Sequence, residues 1–192
     1  GVLIMSDDIY EKLGYDGAEF TSVTGFSVEH LAHTIIVHGL AKAYSMTGWR
    51  IGFLAAPKPI AQAINALQSH STSNATSFAQ KGAVAALTGP QTHLDEWLTE
   101  FNKRRSYAAD RLNNMAGVSC VNSRGAFYLF PNIEGTGLKS AEFCERLLEQ
   151  AKVAAVPGIA FGADNNFRIS YATSMENIQN GMDRLDAFCK TL

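Results

Sequence analysis

Cysteine is scarce in this chain, and charge is sparse and balanced. The three cysteines, Cys120, Cys144 and Cys189, are odd in number, far apart and without CxxC spacing. That usage argues against a disulfide framework and reads as free thiols of a reducing compartment. No stretch approaches the ~18–20 apolar residues of a membrane span, and no basic n-region with a cleavage site is recognisable. The expected setting is therefore cytoplasmic, with no membrane partner. Lys and Arg number 16 against 18 Asp and Glu, a net charge of −2, so neither a nucleic-acid partner nor an acidic tail is expected. A small anionic substrate stays open, because local arginines decide that more than the total does.

What is present is ordinary globular composition: 192 residues, 46% hydrophobic and 18% charged, enough for one good core or two small domains. The stretch His33 to Gly52, HTIIVHGLAKAYSMTGWRIG, organises the rest. Thr34 to Val37 is short, apolar and β-branched and predicts a buried strand, which puts Lys42 just beyond a strand's carboxyl end, the edge where open α/β sheets bind ligands. Arg50 follows in the same loop, before a second apolar run, Ile51 to Ala56. Val2 to Met5 predicts another strand, ending near Asp7. If these strands are parallel neighbours, Asp7 and Lys42 share one edge. Tyr10 follows Asp7 by three residues, a spacing that brings the two side chains together if the chain turns and sets them apart if it stays extended. The plainer readings are that Asp7 caps a helix, Tyr10 packs in a core and Lys42 is a surface lysine.

AKAYSMTGWRIGF resembles the lysine segment of the class I aminotransferases, the aspartate aminotransferase family of pyridoxal-phosphate (PLP) enzymes, usually written SKxYxMxGWRxG. Ala41 stands where many members have serine. The resemblance continues through SDDIYEKL from Ser6, RGAFYLFP from Arg124, VPGIAFG from Val156 and FRISYA from Phe167. It implies an α/β fold: the C-terminal part of the PLP-dependent transferase major domain over residues 1–90, then a small α+β C-terminal domain with a long connecting helix over 91–192. It also implies roles. Lys42 would form the Schiff base with PLP and move the proton of transamination. Asp7, rather than its neighbour Asp8, would pair with the pyridinium nitrogen, Tyr10 would donate to O3', and Arg50 would grip the phosphate. Arg168, a charged fork on a predicted strand, would hold the substrate α-carboxylate, the alternative being a structural salt bridge. The implied reaction is ping-pong transfer between an amino acid and a 2-oxo acid in a homodimer.

The resembling enzymes are about twice as long, and this chain begins at Gly1 within an apolar run. The expectation is a C-terminal half whose missing N-terminal half carries the glycine-rich phosphate loop and the ring that stacks on PLP, so that the half alone is largely inactive. Two alternatives stand beside it: a non-catalytic fragment or interaction module that keeps family residues, and a PLP synthase or lyase of the same fold.

Elsewhere, His30, His33 and His38 lie close together without the cysteine or carboxylate partners of a zinc pattern, so no metal is expected, although His38 is four residues from Lys42. Helices are predicted over Phe26 to Ala32, Pro57 to Gln68 (with Ile60, Ala63, Ile64 and Leu67 on one face), from an Asn74 N-cap to Thr88, and from Gln91 toward Met115. In that last helix Lys103-Arg104-Arg105 reads as a solvated face. Strands are predicted over Val118 to Val121, Ala126 to Phe130, Val153 to Val156 and Phe167 to Tyr171. Helices are predicted over Ser140 to Ala151 and Met175 to Phe188, with Ser140 and Ser174 as N-caps. At least two of Phe127, Tyr128 and Phe130 are expected in the core.

Overall fold

The computed structural model describes residues 1–192, which divide into two compact units, Gly1–Asp95 and Glu96–Leu192. In the first unit, strands β1 (Ile4–Asp7), β2 (Thr34–Gly39) and β3 (Gly52–Ala55) form a sheet in the order β1-β2-β3. β1 runs parallel to β2 with Asp7 opposite Val37, and β3 runs antiparallel to β2 with Gly39 opposite Gly52. The β-branched run at Thr34 thus becomes the central strand. Gly39 and Gly52 are needed where the strands meet, since a Cβ on Gly39 would lie 3.2 Å from both the Gly52 Cα and the Ile51 carbonyl oxygen.

Helices α1 (Val28–Ala32), α2 (Lys58–Ser71) and α3 (Ser77–Thr88) complete this unit. Proline in its first turn starts α2, and the helix runs to Ser71, three residues beyond the predicted end at Gln68. Its apolar stripe is not buried: Ile60 and Ile64 are half-buried and Leu67 is exposed. The cap of α3 is Thr76, not Asn74. Asn74 lies two residues further out, beyond reach of the first-turn amides.

The long helix α4 (Thr92–Asn113) leads into the second unit, whose three-stranded sheet has the order β4-β6-β5, all antiparallel. β4 (Tyr128–Leu129) and β5 (Val156–Pro157) are two residues each, and β6 (Phe167–Ser170) lies between them. Val118 to Val121 is not a strand; only the bridge of Ser119 to Asn132 forms there. Helix α5 (Ser140–Arg146) passes into a π turn over Leu147–Ala151, and α6 (Met175–Cys189) closes the chain.

Ser174 caps α6 by accepting from the Asn177 amide. Ser140 is inside α5 and does not cap it; its buried hydroxyl donates to Asp164 Oδ1 at 2.7 Å and accepts from the Ile159 amide. The Lys103-Arg104-Arg105 face is also not uniformly solvated. Lys103 is exposed, but Arg105 is 1% exposed, its guanidinium taken up by Asn102 Oδ1 and the Ser123 carbonyl. Of the three aromatics expected to share the core, Phe127 is buried, Tyr128 is half-buried and Phe130 is exposed. All three cysteines are free thiols. No helix is long and apolar enough to cross a membrane, and no group of three or more metal-ligating side chains is present.

Candidate active site

Strand direction brings four of the sequence-derived residues to one rim of the first sheet. Parallel β1 and β2 end on the same side, at Asp7 and Gly39, and antiparallel β3 begins there at Gly52. Asp7 is the last residue of β1, Tyr10 lies in the turn after it, Lys42 lies in the turn after β2, and Arg50 precedes β3. Of the two local alternatives for Tyr10, the turn is the one formed, with the Glu11 amide donating to the Asp8 carbonyl and the Leu13 amide to that of Tyr10.

The two neighbouring aspartates are separated by their surroundings. Asp8 is 5% exposed and accepts from the Ser6 and Ser22 hydroxyls at 2.6 and 2.8 Å, which ties β1 to the loop ahead of α1. Asp7 is exposed, and its Oδ1 accepts only the amide of Ile9, at 3.2 Å. Asp8 is committed to the fold, and Asp7 retains acceptor capacity for a ligand.

The lysine turn is held from both sides. Leu40 and Met46 are buried against Ala83 of α3, with Tyr44, Ile51 and Ala86 packed on them. The Met46 amide donates to the Leu40 carbonyl at 3.3 Å, closing the loop at its base. Tyr44 donates to Gln91 Oε1 at 2.7 Å. Lys42 therefore projects, half-buried, from a turn whose neighbours Ala43 and Leu40 are in the core.

Arg50 adopts the left-handed conformation, φ 51° and ψ 45°, as the C-cap of the short turn Thr47–Trp49. For a non-glycine residue this is uncommon and costs energy that the surroundings must supply. One guanidinium nitrogen donates to the Thr47 carbonyl at 3.0 Å, and the side chain is otherwise exposed. Trp49, immediately before it, lies over Gly82 of α3, where a Cβ would come within 2.5 Å of the indole. Gly82 is thus the residue that lets the arginine turn sit against α3.

His38 lies on β2 and stacks on Phe53, its cross-strand partner, with ring centroids 5.2 Å apart and planes 7° from parallel. Its Nδ1 accepts the Gly39 amide at 2.7 Å, and its buried Nε2 faces Glu11 Oε1 at 3.4 Å without a hydrogen bond.

Arg168 belongs to the second unit. It stands on the central strand β6, opposite Val156 of β5, half-buried, with its guanidinium carbon 4.5 Å from the Tyr128 ring centre and 4.7 Å from that of Phe161. No salt bridge to this arginine forms. The motif FRISYA points to Arg168, whereas Tyr128 in RGAFYLFP reads as either pocket lining or core and nothing local singles out Phe161 in VPGIAFG. Burial pushes the thiols of Cys144 and Cys189 up to about 11, and that of Cys120 upward, so none is an activated nucleophile.

An amine, a carboxylate, a phenol and a guanidinium on one rim fit the functional groups of a pyridine aldehyde phosphate: aldehyde, ring nitrogen, ring hydroxyl and phosphate. Comparison with known proteins agrees with that chemistry. Residues 1–185 match the family described as aminotransferase class I and II. The aspartate aminotransferase of Geobacillus stearothermophilus is 47% identical over 98% of this chain and 49% of its own length. The aspartate/prephenate aminotransferase of Cereibacter sphaeroides is 43% identical over all of this chain and 50% of its own. The crystal structure of the aspartate aminotransferase from Rhizobium meliloti superposes with a TM-score of 0.94 at 39% identity, over 98% of this chain and 50% of that one. The chain spans about half the length of the curated relatives it matches. Coverage of nearly the whole chain, with the lysine, carboxylate and arginine segments all inside it, means that the chain belongs to the class I and II aminotransferase family.

Proposed function

We propose that this chain is the lysine-bearing half of a PLP-dependent aminotransferase that moves an amino group between an amino acid and a 2-oxo acid. The observation that carries the reading is the single rim on which Asp7, Tyr10, Lys42 and Arg50 are gathered by one parallel and one antiparallel strand pairing. When bound, PLP supplies the electron sink that makes a proton on the substrate Cα removable.

The chain's own residues divide the remaining work. Lys42 holds the cofactor aldehyde in the resting enzyme and, as a free amine, moves the proton at Cα. Asp7 keeps a proton on the ring nitrogen, and Tyr10 donates a hydrogen bond to the ring oxygen. Arg50 offers two parallel N–H donors to the phosphate. Arg168 holds the substrate α-carboxylate, which favours breaking Cα–H over losing CO2.

The names of the relatives support aspartate as the first donor to assay. Residues 1–90 would complete a large cofactor domain together with an N-terminal half that this chain does not contain, and residues 91–192 would form the small domain. The whole enzyme would be a cytoplasmic homodimer.

The test is borohydride reduction of the chain with PLP, with and without the separately expressed N-terminal half of a close relative, followed by peptide mapping. Labelling confined to Lys42, lost in Lys42→Ala, with transamination appearing on addition of the second half, is the expected result. Labelling scattered over surface lysines in both conditions, with no activity, would overturn the reading.

A further inference from the structure

We infer that Tyr128 and Phe161 are positioning residues that orient the Arg168 guanidinium as a receptor for a carboxylate. This rests on the reading of Arg168 as the substrate fork given above. The starting point is what the other partly or fully buried arginines do. Arg105 is saturated by Asn102 and the Ser123 carbonyl, Arg104 pairs with Glu100, Arg111 with Asp183 and Tyr107, and Arg146 with Glu142. Arg168 alone among them has no acceptor; its contacts are the two rings, at 4.5 and 4.7 Å.

A guanidinium has two chemically different surfaces. Its faces are weakly hydrated and suit aromatic rings, while its N–H donors lie in the plane and point outward from the edge. The Tyr128 and Phe161 rings lie 4.5 and 4.7 Å from the guanidinium carbon, close enough to pack on its faces, and rings packed there hold the plane and use none of the donors. The result is a planar fork with its hydrogen-bonding edge unspent, which matches a planar two-oxygen anion better than a point charge would.

The backbone makes this arrangement rigid. Arg168 sits on the central strand, and Tyr128, opposite Ser170, is its diagonal neighbour across the β4–β6 pairing. Phe161 ends the short turn Gly158–Phe161 and is itself met edge-on by Phe130 at 5.8 Å. Neither ring is in the fully buried core: Tyr128 is half-buried and Phe161 is 48% exposed. Two large aromatics spent beside an otherwise unpaired cation are accounted for by its orientation.

The experiment is an NMR titration of the chain labelled with 15N-arginine, following the Arg168 Nε–H signal, assigned by its loss in Arg168→Lys. The probe is sodium succinate, with sodium chloride at equal ionic strength as control. We expect the free signal to be shielded by the rings, and to shift saturably with succinate but not with chloride. Phe161→Leu should deshield it and raise the apparent Kd for succinate at least threefold, while Phe161→Tyr restores both. Because Phe161 is half exposed, the variants should keep the remaining arginine signals in place, which verifies folding. If Phe161→Leu and Tyr128→Leu are folded and bind succinate as the parent does, the positioning role is wrong and the fork survives. If the parent chain shows no saturable shift, the carboxylate-fork reading falls and takes this inference with it.

Discussion

In the second unit Phe143 stacks on Phe167 at 5.1 Å and meets Phe188 edge-on at 5.4 Å, and Leu112, Leu129, Ile133, Leu147 and Leu185 are fully buried. In the first unit every residue of β3 is exposed, Val2, Met5 and Leu67 are largely uncovered, and the buried apolar residues are few, with Leu13, Tyr15, Leu40 and Met46 the only large ones. The second unit carries a core of its own; the first unit concentrates its packing under the lysine turn, at Leu40, Met46 and Ala83. The difference shows that the lysine turn is held by packing local to it, whereas Arg168 stands on a strand of the second unit's core. The turn that presents Lys42 is anchored locally, while the sheet it grows from presents apolar surface that the proposed N-terminal half would cover.

The sharpest way to break this comparison is a pair of truncations. Phe167→Ala, at a side chain with no exposure, should cost the second unit ~3–5 kcal/mol. Leu54→Ala on exposed β3 should cost under about 1 kcal/mol. Urea unfolding followed by backbone amide signals of each unit would show both, and equal losses would mean that the first unit has a core after all.

Gly82→Ala tests the local anchoring. An alanine there gains up to ~1 kcal/mol of helix propensity, but its Cβ would meet the Trp49 indole at 2.5 Å, and overpacking of this kind costs ~1–3 kcal/mol. A small net destabilisation is expected, with Trp49 swinging outward, read as a red shift in tryptophan emission against a Trp97→Phe background. Unchanged emission would show that the indole does not depend on the glycine.

The smallest effect is with pH. Burial raises Cys144 and Cys189 from 9.0 to about 11, so the folded second unit favours the neutral thiols. That contribution is fully present below pH 9 and is lost as pH rises through about 11. The unfolding midpoint of the second unit should fall across that window, and Cys144→Ala/Cys189→Ala should flatten the fall relative to the parent.

The rim was legible in the sequence because its signals are local and redundant: a β-branched run sets β2, and a long motif fixes the lysine and arginine spacing behind it. The second unit's sheet was less so. β4 and β5 are two residues long, too short for alternation to register, and the predicted strand at Val118 is a single bridge whose partner, Asn132, is distant in the chain. Arg105 looked like one of three surface charges because nothing local reveals the Ser123 carbonyl that receives it. Ser140 carries a capping residue's chemistry and spends it on Asp164. Each of these outcomes depends on a tertiary neighbour, and the motif positions do not.

The reversal of β3 against β2 has a consequence for transplantation. Lys42 and Arg50 lie on one continuous crossing whose two ends, Thr34 and Ala55, belong to adjacent paired strands. Their separation is therefore internal to a single cassette. Exchanging Thr34–Ala55 as a block between relatives carries the two groups across together, whereas a junction placed between them would splice two differently tensioned loops and alter the span that both must bridge.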